Sequence, residues 1–100
     1  MQLSPREIEK LLVYMLANVA MDRKSRGIKL NYPESVAILT SAALEGAREG
    51  KTLDEVINHT RKVLTKNDVM DGVIDLIDDI QVEAIFTDGS RLITIHNPIQ

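Results

Sequence analysis

Residues 11–21 read LLVYMLANVAM, and this segment limits most strongly how the chain can fold. At 100° per residue, Leu12, Met15 and Val19 share one side of a helix, while Val13 and Met21 lie on roughly the opposite side. A helix that is apolar on every side is normally buried on every side. A chain of 100 residues that folds alone buries only about two-thirds of its unfolded surface.

A second segment adds to this excess of apolar surface. Residues 36–47, VAILTSAALEGA, carry small or apolar side chains on every side of a helix. One explanation is that one of the two helices is central in a small bundle and the other is only rich in alanine. The other explanation, which we favour, is that the chain is an obligate member of an assembly and that a partner covers the excess.

Helix-end signals predict three to four helices between residues 4 and 72. Each start has a capping side chain followed three residues later by an acidic one, which together satisfy free backbone N–H groups of the first turn. The four pairs are Ser4 with Glu7, Asn31 with Glu34, Thr52 with Glu55, and Thr65 with Asp68. The corresponding ends are predicted near Arg26, at Gly50, near Leu64 and at Gly72. Residues 73–79 show no pattern that assigns them to a helix or to a strand.

From residue 80 the apolar spacing changes to that of a strand, with every second residue apolar over residues 80–86. Asp88-Gly89 is a dipeptide that two-residue type I′ hairpin turns favour, with positive φ at both positions. This turn pairs Ala84 with Ile93 and Val82 with Ile95 in a hairpin over residues 80–96. We therefore predict one α+β domain over residues 1–100, with its helices followed by a C-terminal two-stranded antiparallel hairpin.

Side chains suited to catalysis or metal binding are few. The chain has no cysteine, and its two histidines, His59 and His96, fall on the third helix and near the end of the last strand. Neither has another histidine at a spacing typical of metal ligands, so a surface or capping role is the simpler interpretation, although a small enzyme using either remains an alternative. The acidic residues at 75, 78 and 79 lack the pattern of a calcium loop and indicate a solvated loop. We predict no catalytic, cofactor-binding or metal-binding residue on this chain.

The strongest charge cluster is basic and comprises Arg23, Lys24, Arg26 and Lys29. It could contact phosphates in a free-standing helical module that binds nucleic acid. The alternative is that these residues complement the negative end of the first helix. The net charge of −3 and the presence of only three aromatic residues favour the second interpretation and no nucleic-acid partner. No apolar run approaches the ~20 residues that span a bilayer, and without cysteines or a signal peptide we expect a cytoplasmic protein and no membrane partner.

Six runs of residues are distinctive in their order and spacing. They are LSPRE at 3–7, RGIKLNYPESVA at 26–37, EGAREGKT at 45–52, VLTKNDVMDGV at 63–73, DIQVEAIFTDGS at 79–90 and TIHNPI at 94–99. Together they resemble the gamma subunits of bacterial ureases over essentially the whole chain. The departures are modest: family members often have proline where Ile74 and Thr87 stand and aspartate where Glu49 stands.

The resemblance implies a non-catalytic structural subunit of nickel-dependent urease, which hydrolyses urea to ammonia and carbamate, the latter then giving carbonic acid. It also implies that the nickel is held by the alpha subunit. The partners implied are the beta and alpha chains, commonly assembled as a trimer of heterotrimers. No motif match transfers a catalytic or metal-binding residue to this chain.

Overall fold

The computed structural model describes residues 2–100, which form four helices followed by a β-hairpin. The elements in order are α1 (Pro5–Ser25), α2 (Tyr32–Arg48), α3 (Leu53–Thr60), a 3-10 turn (Lys66–Asp68), α4 (Val73–Leu76), β1 (Asp79–Phe86) and β2 (Gly89–His96). The predicted α+β class, with helices preceding a C-terminal antiparallel hairpin, is confirmed.

The predicted starts of the first three helices are confirmed. The side chains of Ser4, Asn31 and Thr52 each accept a hydrogen bond from the backbone N–H three residues later, and the glutamate at that position accepts one from the N–H of the capping residue. At the fourth predicted start, the Asp68 carboxylate accepts a hydrogen bond from the Thr65 N–H at 2.8 Å. Only a 3-10 turn follows there.

The helix ends agree less closely with the sequence predictions. α1 and α2 end as expected, ahead of Gly27 and Gly50, which both have positive φ angles. The prediction that α3 continues to about Leu64 is wrong, because the helix ends at Thr60 and a turn closed by a Val63 N–H to Thr60 carbonyl hydrogen bond follows. This turn brings the Leu64 side chain into the core, where it is fully buried.

The predicted register of the hairpin is wrong by two residues. Val82 pairs with Ile93 and Ile80 with Ile95, so the turn consists of Thr87 and Asp88. Gly89 has a positive φ of 125°, but Asp88 does not have a positive φ. A shift of two residues keeps the same side chains on the inner face, and the predicted alternation of buried and exposed residues along β1 is confirmed.

Two side-chain pairs accompany the observed register. The Arg91 guanidinium donates to the Asp88 carboxylate at 2.5 Å beside the turn. At the open end, His96 Nδ1 lies 2.6 Å from Asp79 Oδ1, and these two residues are opposite each other in the ladder. Both ends of the hairpin are therefore held by polar contacts that an apolar pattern does not reveal.

The core lies around α2, which packs against α1, α3 and β1. Its buried apolar side chains include Ala37, Ile38, Leu39, Ala43 and Leu44. The expectation of surplus apolar surface on α2 is therefore wrong, because the chain itself covers this helix on three sides. The excess predicted from the sequence lies mainly on α1, beside an apolar groove that α2 helps to line.

Candidate interaction surface

The outward face of α1 carries large apolar side chains that the chain itself does not cover. We call this face the α1 stripe; its members are Ile8, Leu11, Leu12, Met15, Leu16 and Val19, all exposed. The residues of α1 that are buried against the rest of the chain are Ala17 and Ala20. α1 therefore packs on its own core through these alanines and the half-buried Tyr14, and it presents most of its large apolar side chains outward. Despite this apolar face, no helix within residues 2–100 meets the length and hydropathy needed to cross a bilayer.

The sequence predicted part of this surface. It placed Leu12, Met15 and Val19 on one side of α1 and Val13 on the other, and it predicted that one side would be exposed in the chain taken alone. The structure confirms this for the first side; on the other side, Val13 is half-buried and Met21 is exposed. The remaining members of the stripe could have been found from the positions of Ala17 and Ala20, which mark the side that approaches α2.

A groove beside the α1 stripe extends the apolar surface. It lies between α1 and α2 and has a volume of about 320 Å³. Its walls are almost entirely apolar and consist of Leu12, Val13, Leu16, Tyr32, Pro33, Val36, Ala37 and Thr40. Together, the stripe and the groove form a continuous surface suited to an apolar partner.

The hairpin exposes a smaller apolar area on its outer face. Ile85 and Leu92 are both largely exposed there, one on each strand. Within residues 2–100, β1 pairs only with β2, so each strand has one edge without a backbone partner. Such edges can accept a strand or be shielded by another chain.

An ion pair with a buried glutamate and a part-exposed arginine joins α1 and α2. The side chain of Glu34 is only 4% exposed, and its carboxylate accepts from the Arg23 guanidinium at 2.5 Å and from the Asn31 N–H at 2.9 Å. The backbone N–H of Asn31, and then Arg23, hold the pKa of Glu34 below its usual value, although burial acts in the opposite direction. The carboxylate is therefore ionised at neutral pH. The sequence prediction identified the capping box but not the contact with Arg23.

The basic cluster does not form a free cationic surface. Arg23 pairs with Glu34, Arg26 pairs with Asp22 at 3.1 Å, and the Lys29 ammonium donates to the backbone carbonyl of Asn67. Three of the four predicted basic residues thus hold the α1–α2 connection in place. This arrangement does not favour the nucleic-acid-binding module.

The two histidines lie where the sequence placed them, on two different elements of the fold. His59 is exposed in the last turn of α3, and His96 is exposed at the end of β2 beside Asp79. The acidic side chains at 75 and 78 are also exposed. Over residues 2–100, no three His, Asp or Glu side chains converge to hold a metal ion.

Comparison with known proteins identifies the family. A family model described as urease, gamma subunit, matches residues 1–99. Over 100 residues, the chain is 76% identical to the urease subunit gamma of Photorhabdus laumondii subsp. laumondii, 68% to that of Edwardsiella ictaluri and 64% to that of Yersinia enterocolitica. Each of these alignments covers the whole of both chains. The chain therefore belongs to the urease gamma subunit family.

Proposed function

We propose that this chain is a non-catalytic, structural subunit of urease and acts as one domain over residues 1–100. Urease is a nickel enzyme that hydrolyses urea, and the gamma subunit is one of its chains. The α1 stripe is the observation that carries the structural role. Large apolar side chains point away from the core of the chain while alanines point into it, which is the arrangement expected of a surface that another chain covers.

The proposal includes the identity of the partners and the place of the metal. In it, the partners are the beta and alpha urease chains, assembled as a trimer of heterotrimers in the cytoplasm, and the alpha chain holds the nickel. The family membership of the chain supports a multi-subunit assembly. Within residues 2–100, no three His, Asp or Glu side chains converge on one point, which supports a metal centre on another chain.

Co-expression tests the assembly directly. We expect a tagged copy of this chain to copurify with beta and alpha urease chains in equal molar amounts, with the mass of three heterotrimers by light scattering. As a control for nonspecific binding, this chain is expressed alone and unfolded beta and alpha chains are added afterwards. These unfolded chains should not copurify with it. Recovery of this chain alone from the co-expressing cells would contradict the proposal.

The absence of a catalytic role is tested in the assembled enzyme. His59→Ala and His96→Ala should each leave the turnover of urea and the nickel content largely unchanged, because neither histidine belongs to a converging set of donors. Equilibrium dialysis of the isolated chain should show no tight nickel binding. A large fall in kcat with assembly and nickel content unchanged would show that one of these histidines takes part in the chemistry.

A further inference from the structure

We propose that residues 97–100 form a strap that closes over residues 61–78, and that these two segments open together while the rest of the fold stays intact. We call residues 61–78 the connector, because they join α3 to β1. The connector contains the 3-10 turn and α4, and neither of these is among the main packing pairs of elements within residues 2–100. Its attachment to the other elements therefore depends on a few specific contacts, which the strap and the α1–α2 connection supply.

The strap is hydrogen-bonded to the connector at two widely spaced positions. The Asn97 N–H donates to the Asp78 carbonyl at 2.9 Å, and the Lys66 N–H donates to the backbone oxygen of Gln100 at 2.7 Å. Gln100 also donates from its side-chain Nε2 to the Asn97 carbonyl at 2.7 Å, which closes the strap on itself. Because positions 66 and 78 lie on either side of α4, these bonds hold the 3-10 turn and α4 between them.

The sequence of the strap suits a segment that turns back onto the connector. Asn97 has a φ of 47° and is the only non-glycine with a positive φ within residues 2–100. Asparagine tolerates this left-handed conformation better than most residues do. Pro98, whose ring fixes φ, is fully buried, and Ile99 is 7% exposed and belongs to the core. A short strap thus places two buried side chains against the connector.

The packing between the strap and the connector is incomplete. A cleft of about 410 Å³ lies between them, with Val69, Ile74 and Ile99 among its walls. Side chains beside such a space lack part of the attractive contacts that a close-packed interior provides. The contact of the strap with the connector is therefore weaker than the contacts around α2, and regions with few buried contacts open first.

The other attachment of the connector is at Leu30, in the α1–α2 connection. The Leu30 N–H donates to the Asp68 carbonyl at 2.9 Å, and the Met70 N–H donates to the Leu30 carbonyl at 2.8 Å. This pairing is an isolated bridge and does not continue into a strand ladder. Since single hydrogen bonds contribute modestly to stability, the strap decides whether the connector stays closed. Opening uncovers Val69 and Val73, which are otherwise buried.

Hydrogen exchange of the unaltered full chain, measured for single amides at increasing low concentrations of denaturant, tests the proposal. The amides of Lys66, Met70 and Asn97 report opening of the strap and the connector, and those of Leu39 and Ala43 in α2 report unfolding of the core. We expect the first group to exchange about tenfold faster or more, and with a weaker dependence on denaturant, because opening exposes less surface than global unfolding does. Equal rates with equal dependence on denaturant would overturn the proposal.

Two matched substitutions separate opening of the strap from unfolding of the core. Ile93→Ala truncates a buried isoleucine of β2 that stays packed when the strap opens. We expect it to speed exchange in α2 by about tenfold or more and to leave the amides of Lys66 and Met70 unchanged. Ile99→Ala weakens only the closed form, so it should speed exchange in both groups by the same factor.

Equal acceleration of both groups by Ile93→Ala would show that the connector opens only when the whole chain unfolds, and the proposal would be wrong. It would also be wrong if Ile99→Ala left the exchange of the Lys66 and Met70 amides unchanged. Ile93→Val and Ile99→Val replace the alanine variants if either of those fails to fold, with the same pattern expected at smaller magnitude.

Discussion

Replacing Glu34 by alanine tests how the start of α2 is joined to α1. The carboxylate accepts a hydrogen bond from the Asn31 N–H at 2.9 Å and one from the Arg23 guanidinium at 2.5 Å. Alanine removes both acceptors. The Asn31 N–H then loses its partner in a half-buried position, and Arg23 loses its counter-charge.

The expected loss of stability follows from the exposure of the two partners. A hydrogen bond to a charged group contributes about 1.5–3 kcal/mol, and the loss of a helix cap costs about 1 kcal/mol. Breaking a fully buried ion pair costs ~3–5 kcal/mol, but the Arg23 side chain is 44% exposed, so water solvates its charge once it is released. We therefore expect Glu34→Ala to lower the free energy of unfolding by about 2–3 kcal/mol. Glu34→Gln should cost about half as much, because its amide oxygen can still accept from Asn31.

Guanidinium chloride unfolding, followed by far-UV circular dichroism at pH 7 and low protein concentration, measures these changes. Glu7→Ala is the matched control, because Glu7 holds the same capping-box position in α1 but is exposed and has no arginine partner. Its effect should be less than half that of Glu34→Ala. Equal losses from the two variants would refute the reasoning, since the burial of Glu34 would then contribute nothing.

Three further predictions concern pH and two glycines. The Asn31 N–H is the largest cause of the lowered pKa of Glu34, so the ionised form stabilises the fold above the ordinary glutamate pKa of ~4.3, and this contribution is lost as the pH falls through the lowered pKa. In thermal unfolding from pH 7 to pH 3, the stability of the unaltered chain should therefore fall more steeply than that of Glu34→Gln. Parallel plots of stability against pH would contradict this. Gly89→Val should destabilise the hairpin by ~1–3 kcal/mol in the same unfolding assay, because φ is 125° at this position, and an unchanged midpoint would contradict that strain. Gly46→Leu should lower the free energy of unfolding by ~1–3 kcal/mol, since a Cβ at this position would lie 3.2 Å from Val56 Cγ2 in the core. A gain in stability would show that Val56 can move aside to accommodate the added side chain.

The starts of the helices could be predicted because their signals are local. Each capping box consists of two side chains three residues apart, and the hydrogen bonds that they make are confined to the same turn. The strand period is equally clear, since every second residue from Ile80 to Phe86 is apolar and buried, and Ile85 is the one apolar residue on the exposed side. Local chemistry therefore gave the element types and most of their boundaries.

The hairpin register could not be obtained in the same way. A shift of two residues leaves Ile80, Val82, Ala84 and Phe86 on the inner face, so the alternation fits both registers equally well. The preference of Asp88-Gly89 for a type I′ turn favoured the wrong one. The contacts Asp88–Arg91 and Asp79–His96 accompany the observed register, and both depend on side-chain geometry that residue polarity alone does not specify.

Which of the two apolar helices is buried can be decided only from the tertiary structure. α1 and α2 look alike in apolar pattern, but α2 is surrounded by α1, α3 and β1, whereas α1 contacts the core through Ala17, Ala20 and the half-buried Tyr14. The candidate surface was therefore predicted on the correct helix and also, wrongly, on α2. The contact of Arg23 with Glu34 was missed because it joins two helices across a connection of irregular structure.

The capping boxes have a consequence for the order of folding. α1, α2 and α3 each carry their start signal within four residues. The packing pairs α1–α2, α2–α3 and β1–β2 are neighbours in sequence. Contacts between neighbouring segments close short loops and form quickly, so we expect the packing of α2 on β1, which joins distant parts of the chain, to form late. The helical pair that bears the stripe would then be shaped early in synthesis, and a partner would meet a preformed surface rather than a segment that must fold upon contact.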